Sequence, residues 1–356
     1  MQDKLKIGVI GLGMGSAHLK NYLKHPDAEV VAVAAKPDAR TAAIHTNFPD
    51  FKGRLYDDAL KMLESEKLDI VSVAVPNFLH KDLTIAALES GANVLCEKPM
   101  ALNAADARLM ADTAKRCGKL LGINLSYRFR PQSRAMKDLV DQGLLGNIYY
   151  GRSLWLRRNG IPGLNTNATS GMGPWFYNKK LSGGGPLIDL GVHRLDLAMW
   201  LMGCPKPTWV MASTYDKLAQ KLAGERGVEY TVEDFACATI KFANGATLEL
   251  DAAWAAHIKE NELQQTRLLG EKGGLFQYNL AEGYTFDVEY YYDLNGRQYD
   301  GKLHNFPETP RAYELFVDAV RDGTPFLASA EDGVTAMKII DAIYASAASG
   351  EPVKIG

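Results

Sequence analysis

Lys98, in the segment ANVLCEKPMAL, and Asp189 with His193, in SGGGPLIDLGVHRLDLAMW, are the side chains whose types and spacing could carry chemistry. The lysine follows a short apolar strand. The aspartate and histidine stand at i and i+4, the spacing that puts two side chains on one face of a helix. An imidazole titrates near neutral pH and can move a proton, while an ammonium group stabilises a developing alkoxide. Taken singly, each has an ordinary reading: a solvated loop lysine, and a helix-surface pair in which Asp189 caps the turn after Gly183-Gly184-Gly185. Taken together, they are a cationic donor, a proton carrier and an orienting carboxylate. With a hydride carrier, these are the parts needed to oxidise an alcohol or reduce a ketone.

A place for such a carrier stands near the N-terminus. Gly11-Leu12-Gly13-Met14-Gly15-Ser16 follows the apolar run Lys6–Ile10 and precedes a helix over Ala17–Lys24. Glycines in that position let backbone amides approach a pyrophosphate, and the helix N-terminus adds positive potential. The match to G-x-G-x-x-G is imperfect: Ser16 takes the third glycine's place and Gly15 falls one position early. At the end of the second strand an NAD site usually offers an acid to the ribose hydroxyls. Here Ala35 stands in that place, followed by Lys36 and Arg40, cations that attract a 2′-phosphate. The expectation is NADP(H) over NAD(H); the alternative is that both cations are solvated and NAD binds without the acid. Pro76, Asn77 and His80 end the strand carrying VSVAV, at the sheet edge where ligands bind, although Asn77 could equally cap a helix.

The first third alternates Val/Ile-rich strands (Glu29–Ala35, Asp69–Val75, Asn93–Cys96, Lys119–Asn124) with amphipathic helices. This is the pattern of a parallel sheet covered on both faces. After a helix at Gln132–Gln142 the rhythm changes to long strands (Ile148–Arg157, Thr208–Tyr215, Phe235–Phe242, Ala246–Trp254), with hairpin signals at Asn244-Gly245 and Asn295-Gly296. The fold class is therefore α/β, a Rossmann-type domain over 1–125, followed by α+β over 126–356 with a mostly antiparallel sheet. Helical periodicity returns at about 310–349, expected to pack back on the first domain. Asn159–Asn178 reads as one long loop, and loops of that length are often functional.

Composition narrows the classes further. Hydrophobic residues make up 47%, charged residues 23%, and the net charge is −2, with no basic run to suit nucleic acid. No apolar stretch approaches the ~20 residues of a membrane span. The N-terminus shows no signal-peptide pattern. Cys96, Cys117, Cys204 and Cys237 lack metal-ligand spacing and read as reduced, mostly buried thiols of a cytoplasmic protein. No metal is expected.

The segments GLGMGSAH, VSVAVPNFLHKDLTIAALESGANVLCEKPMAL, GGGPLIDLGVHRLDLAMWLMG and SAEDGVTAMKIIDAIYASAASGEPVKI together resemble the Gfo/Idh/MocA family, relatives of glucose–fructose oxidoreductase and inositol dehydrogenase. The resemblance implies a C-terminal domain with an open-faced sheet that commonly builds homodimers or homotetramers. It implies that Lys98 lies beside the nicotinamide, whose positive charge should lower the lysine's pKa in oxidation. It also makes His193 the general base or acid, with Asp189 orienting either the substrate hydroxyl or the imidazole. Cofactor contacts are expected from Gly11, Gly13, Met14, Gly15, Ala35, Lys36, Arg40, Pro76, Asn77, His80 and Glu97. Substrate contacts are expected from Tyr127 and Arg128, which open the second domain, and from Arg157, Asn159 and Trp175. Trp155 and Trp209 read as core strand residues. A small-molecule sugar, sugar derivative or cyclitol is the implied substrate, with a secondary alcohol and a ketone interconverted. Some relatives instead use transient oxidation by held NAD to cleave glycosides, and others are sensors without turnover; a sensor would be expected to lose the lysine or the histidine.

Overall fold

The computed structural model describes residues 4–164 and 173–356, so part of the loop expected at Asn159–Asn178 lies outside the described residues. The chain divides into two compact units. The first holds the residues up to Leu125 together with Pro310–Met337; the second holds Ser126–Thr309 and Lys338–Gly356.

In the first unit, six strands form one parallel sheet: β1 (Leu5–Ile10), β2 (Ala28–Ala34), β3 (Arg54–Tyr56), β4 (Ile70–Val73), β5 (Asn93–Cys96) and β6 (Leu121–Ile123). Their order is β3-β2-β1-β4-β5-β6. The order therefore reverses at β1, which pairs with both β2 and β4, and ligands of such sheets bind at the carboxyl ends beside the reversal. All four residues of β4 are buried, as a strand covered on both faces requires. The short edge strand β3 has no apolar run and so gave no signal in the sequence. Local chemistry sets the helix ends. The Asn103 side chain accepts from the Asp106 amide at 2.8 Å to start Ala104–Cys117, and Gly118 ends it at φ +63°.

The second unit is built on nine strands: β7 (Ile148–Arg157), β8 (Pro207–Tyr215), β9 (Phe235–Phe242), β10 (Thr247–Ala253), β11 (Glu262–Gly270), β12 (Gly273–Leu280), β13 (Thr285–Leu294), β14 (Arg297–Lys302) and β15 (Val353–Lys354). They lie in the order β14-β13-β12-β11-β7-β10-β9-β8-β15. Among the described residues only β7 with β10 runs parallel, and the remaining pairs are antiparallel. Strands β12 and β14 were not foreseen, since one opens on Gly273-Gly274 and the other is almost wholly exposed. The helix Val192–Leu201 is buried along all ten residues. It packs on β7, β10 and β11. The expected regular helix through Asp189 and His193 needs a correction: Leu187–Gly191 forms a π-turn and the α-helix begins only at Val192. A π-turn inserts one residue per turn and often marks a functional position.

Arg128 and Asp196 fasten this buried helix to the segment Ser126–Phe129. The guanidinium Nε donates to both carboxylate oxygens at 3.1 and 3.0 Å, and Nη2 to Oδ1 at 2.6 Å, with each side chain 3% exposed. A bidentate pair this deep is safe only as a pair, because removing one partner strands the other's charge. Asp196→Ala should cost about 3–5 kcal/mol, read as a lower denaturant midpoint. Asp196→Ala with Arg128→Met should recover part of that loss, and equal stability of the single and double variants would refute the pairing argument.

Candidate functional site

In the first unit the glycine turn is built by close approach. Gly11 sits at φ +94°, and a Cβ there would come 2.2 Å from the Ala74 carbonyl oxygen. A Cβ on Gly15 would come 3.2 Å from Val9 and 3.4 Å from the Ala74 methyl. Gly15 therefore supplies the tight helix–strand packing that the third glycine of the motif normally gives, one position early. The helix Gly15–Tyr22 starts without a side-chain cap and carries no acid in its first turn. Its N-terminal amides are the donors an anion needs. These features fit the pyrophosphate of a dinucleotide.

Beside this turn, Arg40 brings Nη1 to 3.7 Å from the position a Gly13 Cβ would take. Asp38, which the sequence reading passed over, clasps Arg40. Its Oδ2 accepts from Arg40 Nε at 2.8 Å and Nη2 at 2.5 Å, while Oδ1 accepts from the amides of Arg40 and Thr41 at 2.8 and 3.2 Å. The Arg40 guanidinium holds the Asp38 carboxyl below its ordinary range. Lys36 is exposed and Ala35 half-buried, its amide donating to Tyr56 O at 3.0 Å.

Glu97, expected at the cofactor, instead faces the core at 6% exposure. Its Oε1 accepts from His18 Nε2 at 2.8 Å and Asn124 Nδ2 at 2.6 Å, and its Oε2 accepts from the Lys98 amide at 3.2 Å. His18 Nδ1 pairs with the Ser72 hydroxyl, which also meets Tyr22 at 3.2 Å. Burial alone would raise the Glu97 pKa, but His18, Asn124 and the charge of Lys98 outweigh it and hold the carboxyl below its usual value. His80 is likewise corrected. Fully buried, it sets Nδ1 2.7 Å from Pro99 O and Nε2 2.8 Å from Val75 O, so both ring nitrogens are committed to backbone. The ring joins the end of the β4 segment to the Lys98–Pro99 turn, whose peptide is cis. Pro76 and Asn77 are half-buried, and Asn77 lies inside a 3₁₀ turn that no side chain caps. Cys96 is fully buried, its thiol pushed up to about 12 by burial. Lys98 itself is half-buried. Of the four cysteines only Cys96 is buried, against the expectation for the set.

In the second unit, His193 is 9% exposed and lies between two aromatic rings, Tyr127 at 5.2 Å and Trp155 at 5.8 Å between centroids. Trp155 thus belongs to the histidine's surroundings and not merely to a strand core. Tyr127, expected at the substrate, is 2% exposed and its hydroxyl donates to Gln264 Oε1 at 2.7 Å, which makes it a support for His193. Arg128 is corrected for the reason given above: its guanidinium is committed to Asp196. Arg194 lies fully buried under the same rings, its Cζ 4.5 Å from the Tyr127 centroid and 5.5 Å from that of Trp155. It donates to Gln264 Oε1 and, at 3.4 Å, to Gln277 Oε1. Burial pulls its pKa down to about 10, still cationic at neutral pH.

Asp189 is half-buried and its Oδ2 accepts from Trp254 Nε1 at 3.0 Å. Capping falls elsewhere: Glu233 accepts from the amides of Gly185 and Leu187, each at 3.0 Å, and from the Tyr344 hydroxyl at 2.9 Å. Burial raises the Glu233 pKa. The Trp175 ring lies 4.3 Å from that of Phe176 in a tilted contact, and Phe176 lies 6.1 Å from Trp254. Asn159 is exposed and bridges Ala255 through backbone. Arg157 Nε donates to Glu262 Oε1 at 3.2 Å and its Nη2 to the Tyr284 hydroxyl at 3.1 Å.

Two family models describe this pair of units. Residues 5–125 match the oxidoreductase family's NAD-binding Rossmann fold, and residues 137–355 match the same family's C-terminal alpha/beta domain. The chain belongs to the Gfo/Idh/MocA family of oxidoreductases. It is 33% identical to D-glucoside 3-dehydrogenase of Escherichia coli strain K12 over 361 residues, covering 99% of this chain and 97% of that protein. It is 26% identical to levoglucosan dehydrogenase of Pseudarthrobacter phenanthrenivorans, over 97% of each chain. A levoglucosan dehydrogenase solved with NADH and levoglucosan superposes at a TM-score of 0.85 with 24% identity, over 99% of this chain and 100% of that one, a likeness of fold. The family membership fits the dinucleotide turn. No helix among the described residues is long and apolar enough to cross a membrane.

Glu97 has a pH signature. A carboxyl held below its unfolded pKa stabilises the fold above that unfolded value, about 4.3, and the contribution fades as pH falls through the lower folded value. Glu97→Gln should therefore lower Tm relative to the parent at neutral pH, by an amount set by about 3 kcal/mol for a broken buried pair. The gap between parent and variant should shrink below about pH 4. A gap constant from pH 7 to 3 would show that Glu97 is not the charged partner of His18.

Proposed function

We propose that this NAD(P)-binding oxidoreductase interconverts a secondary alcohol and a ketone on a sugar, sugar derivative or cyclitol. The observation that carries the reading is the 33% identity, over nearly the whole of both chains, to a protein named for oxidising D-glucosides at carbon 3. Pyranosides are therefore the first substrates to try. When bound, the nicotinamide supplies or accepts the hydride.

In this reading Gly11, Gly13, Met14 and Gly15 receive the pyrophosphate at the helix N-terminus. Lys98 donates a hydrogen bond to the substrate oxygen and stabilises its alkoxide character. Its support is the backbone amide fixed by Glu97. His193 takes the hydroxyl proton in oxidation and returns it in reduction. Its aromatic neighbours favour this by keeping water from the ring. Asp189, steadied by the Trp254 N–H, orients the reacting hydroxyl. NADP(H) is preferred over NAD(H). The nearby acid, Asp38, is saturated by Arg40 and two amides, so it offers no acceptor to the ribose hydroxyls and Lys36 is the cation outside that pair. The protein is cytoplasmic and acts as a homodimer or homotetramer.

Nicotinamide absorbance, followed across pyranosides, free sugars and inositols with NAD⁺ and NADP⁺ in parallel, tests the reading. A rise with a pyranoside or cyclitol is expected, and silence across all would overturn it. Lys98→Ala should keep dinucleotide affinity and lose at least about 100-fold in kcat; unchanged turnover would remove Lys98 from the chemistry. Lys36→Asp should weaken NADP(H) about tenfold or more while leaving NAD(H) nearly unchanged, and equal effects would detach Lys36 from the cofactor.

A further inference from the structure

Glu262, at the start of β11, stands in no sequence motif, yet its carboxylate binds directly to the Trp155 ring that flanks His193. Three donors converge on a single one of its oxygens: Trp155 Nε1 at 2.6 Å, Arg157 Nε at 3.2 Å and the Tyr284 hydroxyl at 3.3 Å. The other oxygen, Oε2, has no partner among the described residues. Arg157 repeats the pattern. Its Nε and Nη2 are engaged by Glu262 and Tyr284, and its Nη1 has no partner among the described residues. The two side chains keep 17% and 18% exposure, so neither is sealed in the core. A fully satisfied structural pair would have been expected to close both.

The surroundings hold this arrangement still. The Tyr284 carbonyl accepts from Arg130 Nη1 at 2.8 Å, and its half-exposed ring stands 5.9 Å from Trp155. Arg157 lies 5.4 Å over the Trp155 ring, fixing the guanidinium plane against it. What remains is one open acceptor and one open donor, rigidly spaced, beside an aromatic surface and the histidine. A carboxylate or phosphate substituent would call for two donors. Adjacent hydroxyls on a neutral ring call for one acceptor and one donor, since each hydroxyl can play either part.

We propose that Glu262 and Arg157 form a subsite for a vicinal diol of a neutral polyhydroxy ring, one hydroxyl donating to Glu262 Oε2 and its neighbour accepting from Arg157 Nη1. The subsite rests on the sugar reading above and deepens it: it selects by hydroxyl pattern at carbons away from the one oxidised.

Calorimetric binding of methyl D-glucosides and their monodeoxy analogues to the cofactor-loaded protein tests this, with turnover recorded separately. Glu262→Gln keeps an acceptor for Trp155, and its melting temperature and dinucleotide affinity should match the parent. Its glucoside affinity should fall about 10–100-fold, the worth of a hydrogen bond to a charged group. In the parent, removing one hydroxyl of the critical pair should cost a similar factor. In Glu262→Gln that deoxy penalty should shrink to the few-fold worth of a neutral hydrogen bond, which a merely structural glutamate would not produce. Arg157→Met should erase the penalty for the neighbouring hydroxyl. Unchanged affinity in Glu262→Gln, deoxy penalties that persist undiminished in it, or no glucoside binding by the parent would overturn the subsite. Binding with these signatures but without turnover would leave the subsite standing and sink the oxidoreductase reading instead.

Discussion

A carboxylate taken almost wholly out of water must be surrounded by donors, and in the first unit the donors that satisfy Glu97 come from three separate elements. His18 belongs to the helix that follows the glycine turn, Asn124 to the end of β6, and the third donor is the backbone amide of Lys98. The helix that follows the glycine turn and the turn that carries the lysine are thus tied through one carboxyl group. Its hydrogen bonds and its charge partners win over the desolvation that would otherwise neutralise it. His80 adds a second tie from the opposite side, bracing the Lys98–Pro99 turn against the end of the β4 segment. The catalytic lysine of the proposal is positioned by groups that themselves stay out of the chemistry.

The second unit solves a related problem with aromatic rings and amides. Arg194 is buried beside His193 with no carboxylate in contact among the described residues, and glutamine oxygens and the faces of Tyr127, Trp155 and Phe286 take the place of a counter-ion. A rigid floor of this kind holds the imidazole between the Tyr127 and Trp155 rings. The neighbouring pair Arg128 and Asp196 is the opposite case, a buried guanidinium matched by a carboxylate. Two adjacent arginine-bearing segments thus serve packing, while Arg157 stays partly exposed.

Much of this was legible in residue order. Strand–helix alternation, the glycine turn, the EKP lysine and the D-x-x-x-H spacing all depend on neighbours within a few residues. The chain's short-range geometry converts such patterns directly into elements. Where the pattern was weak, as in the exposed β14 and the three-residue β3, the strands went unseen because their pairing comes from a partner strand and not from their own apolar rhythm.

The sequence by itself determined the fold class, the family and the identity of the lysine, aspartate and histidine. The tertiary structure decided which polar groups face inward. Glu97, His80, Tyr127 and Arg128 all sit in segments that read as ligand-facing, and each is claimed by a buried partner from another part of the chain. Glu262 shows the converse, since it lies 105 residues from Arg157 and no local pattern announces their meeting. The physical reason is the same in both directions. Secondary structure follows from local sterics and periodicity, whereas the side of an element on which a charge ends up depends on where, in the packed fold, a donor or acceptor waits to offset its loss of water.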